Sequence, residues 1–133
     1  MSRILITSAL PYINGIKHLG TLAGSMLPAD VYARFQRARG RETLYICATD
    51  EHGIKMLQTA KAQGISPAEL ADRNTPKFRD MVATLNCSND DFIGTREERH
   101  KRASQELWRR MQAAGDIYLD KYAGWYSVRD EAY

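Results

Sequence analysis

An α/β fold built on a parallel sheet is what this sequence predicts, and three observations carry the prediction. A short apolar run, Ile4-Leu5-Ile6, has the composition of a strand buried on both faces. A helical stretch over residues 22–39 follows, closed by Gly40 in the usual C′ position. A second apolar run, Leu44-Tyr45-Ile46-Cys47-Ala48, comes next. Strand, helix and strand in that order imply a right-handed parallel crossover. Both loops that leave the strands then lie at one edge of the sheet, where open α/β sheets hold ligands.

Between the first strand and the first helix, Pro11, Asn14 and Gly15 break the chain into a turn. The free N–H groups of the helix start attract anions. His18 and Lys17 add two donors there, and Gly20 lets a ligand approach the backbone closely. The arrangement suits a triphosphate, although neither a Walker loop nor a GxGxxG fingerprint is present. Within the helix, Leu27, Val31, Phe35 and Ala38 fall near one face and are expected in the core, and Pro28 is expected to kink it.

The second strand runs into Thr49-Asp50-Glu51-His52-Gly53. Asp50, at the carboxyl end of its strand, faces the same crevice as the 9–12 loop. A carboxylate there can pair with an ammonium group through a charge-assisted hydrogen bond, or it can cap the next helix. Glu51 and His52 read as structural. Adjacent Asp, Glu and His side chains point in different directions and no second ligand cluster follows, so no metal site is expected.

The remaining chain reads as packing. A helix over 54–63 is closed by Gly64, and Ser66-Pro67-Ala68-Glu69 is a capping box with proline at N1. The next helix buries Leu70, Phe78, Met81, Val82 and Leu85, with Pro76 placed to split it. Phe92-Ile93 is a short buried strand. Thr95-Arg96-Glu97-Glu98 resembles a second capping box, opening a helix to Ala114 with Leu107 and Met111 inward and a basic, solvated outer face. After Gly115, residues 117–122 and 125–128 read as the strands of a β-hairpin around Ala123-Gly124.

Composition bounds the class. At 133 residues, 44% hydrophobic and 26% charged, the chain has the make-up of one globular domain with a single core. A net charge of +3 without a basic block permits a nucleic-acid partner but does not argue for one. Residues 4–10 are interrupted by Pro11 and Asn14 too early for a signal peptide, and no apolar run is long enough to span a membrane. Cys47 and Cys87 form no CxxC pair and fit buried, reduced thiols in a cytoplasmic protein.

The run Ser8-Ala9-Leu10-Pro11-Tyr12-Ile13-Asn14-Gly15-Ile16-Lys17-His18-Leu19-Gly20-Thr21 resembles the first signature of the class I aminoacyl-tRNA synthetases. Its Ala-Leu-Pro-Tyr-x-Asn-Gly prefix is similar to the methionyl family in particular. The resemblance implies the first half of a Rossmann-like nucleotide-binding fold over residues 1–115. The start of the connective-peptide insertion, with the β-hairpin, follows over 116–133. It implies ATP with Mg²⁺ and methionine as substrates, and tRNA(Met) as the partner of the complete enzyme. On this resemblance His18 and Thr21 are catalytic, and Lys17, His18, Gly20 and Thr21 hold ATP. Ala9, Leu10, Tyr12 and Asp50 hold methionine. Thr21 stands where the family's usual second histidine would be, so it can donate to a phosphate but brings no charge.

Many family members carry a zinc knuckle in the insertion, beginning Tyr-Cys-x-x-Cys. The matching stretch here is Tyr126-Ser127-Val128-Arg129-Asp130, with Ser and Asp in place of thiolates, so no zinc is expected. Another class I synthetase, or a non-catalytic nucleotide-binding module, remains an alternative to the methionyl assignment. The resemblance also implies a second half-fold with a lysine-rich catalytic loop. The six lysines here, Lys17, Lys55, Lys61, Lys77, Lys101 and Lys121, are too dispersed to form one. Without that charge over the leaving pyrophosphate, a dominant electrostatic contribution is missing. The purified 133-residue chain is therefore expected to show only background methionine-dependent pyrophosphate exchange. Robust exchange would show that half of the site suffices.

Overall fold

A computed structural model describes residues 3–15, 19–130 and 132. They fall into two compact units, Met1–Lys101 and Arg102–Tyr133. The first unit contains a three-stranded sheet in the order β1 (Ile4–Thr7), β2 (Thr43–Thr49), β3 (Asp91–Gly94). Both pairings are parallel, with Ile4 opposite Thr43 and Ile46 opposite Asp91. All three predicted strands form, and parallel order follows from the helices inserted between them.

Two helical turns open the first connection: α1 (Leu19–Thr21), then a π turn over Leu22–Met26, in which the Leu27 N–H reaches five residues back to the Leu22 carbonyl. α2 (Leu27–Ala38) follows directly, with Pro28 in its first turn, where a missing N–H costs little. The irregularity expected at Pro28 is thus a widened turn just before it. The second connection holds α3 (Ile54–Ala62) and α4 (Pro67–Thr84). Ser66 and Glu69 form the predicted capping box, bonding reciprocally to each other's backbone N–H. Pro76 does not split α4, which continues through it.

Ile6, Ile13, Met26, Ala33, Tyr45, Met56, Leu70, Phe78, Val82 and Phe92 form the core. Tyr45 is fully buried and its hydroxyl donates to the Met26 carbonyl at 3.0 Å, satisfying the one polar atom its ring carries inward. Cys47 and Cys87 are free thiols, and burial pushes both above the usual thiol range. They are inert packing groups under neutral conditions.

The predicted inner face of α2 is not the buried one. Val31 and Phe35 are 66% and 52% exposed, whereas Asp30, Ala33 and Gln36 are buried. Asp30 can be buried because its carboxylate is supplied with donors. Ser88 gives its backbone N–H (2.5 Å) and hydroxyl (2.6 Å), and Arg34 gives Nε at 2.7 Å. Arg37 adds bonds to the Ser88 hydroxyl and the Asp90 carboxylate, and Asp90 accepts from the Tyr45 N–H at 2.7 Å. This network fastens α2 to the edge of the sheet where β2 and β3 begin.

α5 (Glu98–Ala114) forms as predicted, but no residue in it is buried, and Leu107 and Met111 stay exposed. The expected capping box at Thr95 is not made: the Thr95 hydroxyl accepts from the Glu51 N–H, and the Glu97 carboxylate takes the Gly94 N–H. Neither strand of the predicted β-hairpin is present in the second unit. Leu119 and Trp125 are 101% and 98% exposed there. A two-stranded ribbon with nothing to pack on is marginal in water. A single antiparallel bridge, Ser127 with Ala132, stands in its place, tightened by the Ser127 hydroxyl donating to Asp130 at 2.7 Å.

Burial pushes the Asp30 carboxyl up, but the bonds from Ser88 and Arg34 outweigh it and hold it below the usual carboxylate range. A depressed folded-state value stabilises the fold above the unfolded pKa and is lost as pH falls through the folded one. Asp30→Asn is expected to lower stability at pH 7 by on the order of 1–3 kcal/mol. The gap to the parent should close as pH falls below about 4. Urea unfolding across that range checks it, and a gap constant with pH would rule out the charge as its source.

Candidate functional site

The parallel pairing of β1 with β2 does not stop where the strands end. Tyr12 and Asp50 form a further parallel bridge in the loops beyond them. The Asp50 N–H donates to the Pro11 carbonyl at 2.9 Å, and the Ile13 N–H donates to the Asp50 carbonyl at 3.4 Å. Between the pairing of Thr7 with Ile46 and that of Tyr12 with Asp50, the first loop carries one residue more than the second. The surplus residue bows the 8–11 segment outward, as in a bulge, which leaves Ala9 and Leu10 exposed beside the bridge.

Each loop has a further anchor. The Ala9 N–H donates to the Ser25 hydroxyl at 2.7 Å. Buried Asn74 of α4 donates through Nδ2 to the Ile13 carbonyl at 2.6 Å, and Ile13 itself is fully buried. A cavity of about 420 Å³, lined in part by Asn14, Gly15, Lys77 and Phe78, lies on the α4 side of this anchor. The Tyr12 ring lies over Gly53, where a Cβ would stand 3.2 Å from Cε1. Gly53 also has φ +93° and ψ 166°, a region open in practice to glycine alone.

Asp50 is half-buried, and its Oδ1 accepts from the His52 N–H at 3.1 Å. Oδ2 takes no hydrogen bond among the described residues. Asp50 therefore does in part what a capping aspartate does, with Oδ2 left over among the described residues. Next to it, Glu51 turns inward. It is 7% exposed and accepts from the hydroxyls of Thr49 (3.3 Å) and Thr75 (2.7 Å) and from the Arg96 N–H (3.1 Å). The structural reading of Glu51 is correct, but it is an internal carboxylate tying three elements, which periodicity could not indicate.

Four of the sequence-derived residues, Ala9, Leu10, Tyr12 and Asp50, come together around the bridge. Gly20 is exposed and Thr21 half-buried at the start of the helical run that follows the same loop. Lys17 and His18 lie outside the described residues. Sequence reasoning missed Ser25, Asn74 and Thr75, polar residues whose only signal was their place in otherwise amphipathic helices. Among the described residues, no group of three or more His, Cys, Asp and Glu side chains is placed to hold a metal ion. No described helix is long and apolar enough to cross a membrane.

Comparison with known proteins adds to this geometry. A family model described as tRNA synthetases class I (M) matches residues 4–133. The methionine–tRNA ligase of Rhizobium meliloti is 58% identical over 132 residues, 99% of this chain and 25% of that protein. That of Brucella suis is 58% identical over 128 residues, again 25% of its length. Among solved structures, Mycobacterium tuberculosis methionyl-tRNA synthetase in complex with methionyl-adenylate superposes with a TM-score of 0.89 at 47% identity. The match covers 98% of this chain and 25% of that one. The chain thus spans about a quarter of the length of the relatives it matches.

The Tyr12–Gly53 contact yields a direct test. Gly53→Ala forces both an unfavourable backbone region and a steric encounter with the Tyr12 ring, at a cost of roughly 1–3 kcal/mol. Denaturant unfolding should show that loss, and tyrosine fluorescence or NMR should show Tyr12 displaced. Unchanged stability would mean that the loop relaxes freely around position 53.

Proposed function

This chain belongs to the methionyl family of class I tRNA synthetases, and we propose that it builds the amino-acid side of an ATP-dependent methionine-activating site. In the complete enzyme the methionine carboxylate attacks the α-phosphate of ATP, methionyl adenylate forms, pyrophosphate leaves, and methionine passes to tRNA(Met). The substrate supplies the nucleophile, so the protein needs no covalent catalyst. Its contribution is to position reactants and stabilise charge on the phosphates. Residues 1–115 are then the first half of the nucleotide-binding domain and 116–133 the start of the connective-peptide insertion.

The observation that carries this reading is the Tyr12–Asp50 bridge at the carboxyl edge of a parallel sheet. It sets half-buried Tyr12 and exposed Leu10 beside a carboxylate with one oxygen that takes no hydrogen bond among the described residues. An apolar surface next to a carboxylate is the pairing that an amino acid with a thioether side chain and an ammonium group requires. Asp50 takes the ammonium group, and Ala9, Leu10 and Tyr12 take the side chain. His18, Gly20 and Thr21, with Lys17, serve the triphosphate at the helix start. Mg²⁺ accompanies ATP, held mainly by phosphate and water oxygens. No zinc belongs to this reading, because Ser127 and Asp130, at the positions of two thiolates, bond to each other. The unpaired thiols of Cys47 and Cys87 fit a cytoplasmic setting.

The test uses the full-length Rhizobium meliloti ligase with its matching segment exchanged for these 133 residues. Asp50→Asn is expected to weaken methionine binding by about 1.5–3 kcal/mol, the worth of a hydrogen bond to a charged group, with ATP binding little changed. His18→Ala is expected to slow adenylate formation with methionine affinity intact, since its partner is the phosphate in the transition state. Calorimetry and pyrophosphate exchange separate the two. An inactive parent chimaera, or unchanged methionine affinity in Asp50→Asn, would overturn the assignment.

A further inference from the structure

Burying an acidic side chain is costly unless it is hydrogen-bonded, and the bonds that satisfy Glu51 also tie it to three elements, which makes it a fixed point. Oε1 accepts from Thr49 at the end of β2 and from Thr75 in α4, and Oε2 accepts from the Arg96 N–H beyond β3. The Glu51 N–H donates to the Thr95 hydroxyl at 2.9 Å. Gly94 makes the room: a Cβ there would stand 2.7 Å from Oε1. Every polar group that residue 51 carries inward is thus held by an element other than the 9–12 loop.

Resting on the methionine-site reading above, we propose that Glu51 is a positioning residue for the amino-acid subsite. It acts through its neighbour. With residue 51 clamped from three sides, the preceding peptide presents the Asp50 N–H and carbonyl to Pro11 and Ile13, and Oδ1 turns to the His52 N–H. Oδ2, which takes no hydrogen bond among the described residues, is then held at a fixed place for the substrate ammonium group. Released from Thr75 and Arg96, the loop keeps Asp50 but loses its aim. The loss falls on methionine and spares ATP, whose proposed contacts lie in the other loop.

The experiment is steady-state pyrophosphate exchange in the chimaera described above. Two changes perturb the clamp from opposite ends: Glu51→Gln, which turns an N–H₂ toward the donors, and Thr75→Val, which removes one donor that lies in α4 and outside the proposed subsite. Both are expected to raise the methionine KM about tenfold or more in Glu51→Gln and several-fold in Thr75→Val, with the ATP KM within twofold of the parent. Thr75→Ser, which keeps the hydroxyl, is expected to restore the parent methionine KM. Should Glu51→Gln fail to fold, the Thr75 pair carries the test. A methionine KM unchanged in Thr75→Val, or methionine and ATP KM rising together, would overturn the positioning role while Asp50→Asn still identified the subsite. No effect of Asp50→Asn would remove the subsite itself and this inference with it.

Discussion

Two loops that belong to different strands are held together at the site by main-chain atoms, through the Asp50 N–H to the Pro11 carbonyl and the Ile13 N–H to the Asp50 carbonyl. The geometry of the candidate subsite depends on that pairing. It places the exposed Ala9 and Leu10, the Tyr12 ring and the Asp50 carboxylate in one neighbourhood, although Tyr12 and Asp50 are separated along the chain by the whole first crossover. The bridge is possible only because β1 and β2 are parallel, so that both loops leave in the same direction. Its helpers are side chains from elements behind it: Ser25 on the Ala9 N–H, Asn74 on the Ile13 carbonyl, and the threonines around Glu51.

The opposite edge of the sheet is built differently. There, Asp30, Arg34 and Arg37 of α2 meet Ser88 and Asp90 through charge-assisted bonds, and Asp90 reaches the backbone of Tyr45. Such bonds are stronger than neutral ones and more exacting in direction. At this edge side-chain charge reaches from α2 to the strands, whereas at the other the direct link between the two loops is main-chain. Between them the core, with Tyr45 and Met26 at its centre, couples helix to sheet.

The sheet, its order of elements and the neighbourhood of Asp50 with the 9–12 loop were legible in the sequence, because apolar runs and turn residues report local structure directly. What was not legible has a common physical origin. The face of α2 with Leu27, Val31, Phe35 and Ala38 reads as the inner one, but Ser88, far along the chain, supplies donors to Asp30 and the face with Asp30 is buried instead. Thr95 and Glu98 have the spacing of a capping box, but the Glu51 N–H engages the Thr95 hydroxyl instead. The alternation over 117–128 is that of a hairpin, yet Leu119 and Trp125 stay exposed, and a ribbon that buries so little is marginal. In each case a long-range partner, or its absence, outweighed a correct local preference.

The bonds that join the two loops directly run between peptide groups, so the Leu10 side chain takes no part in them, and that has a consequence for how such a site can diversify. Exchange of Leu10 changes the apolar surface beside the bridge and leaves the main-chain bonds of Pro11, Ile13 and Asp50 in place. The selectivity proposed for the site can thus drift at that position while the main-chain pairing stays. The tolerance ends at the donors: proline at position 13 or 50 has no N–H to give, and would part the loops whatever else the sequence kept.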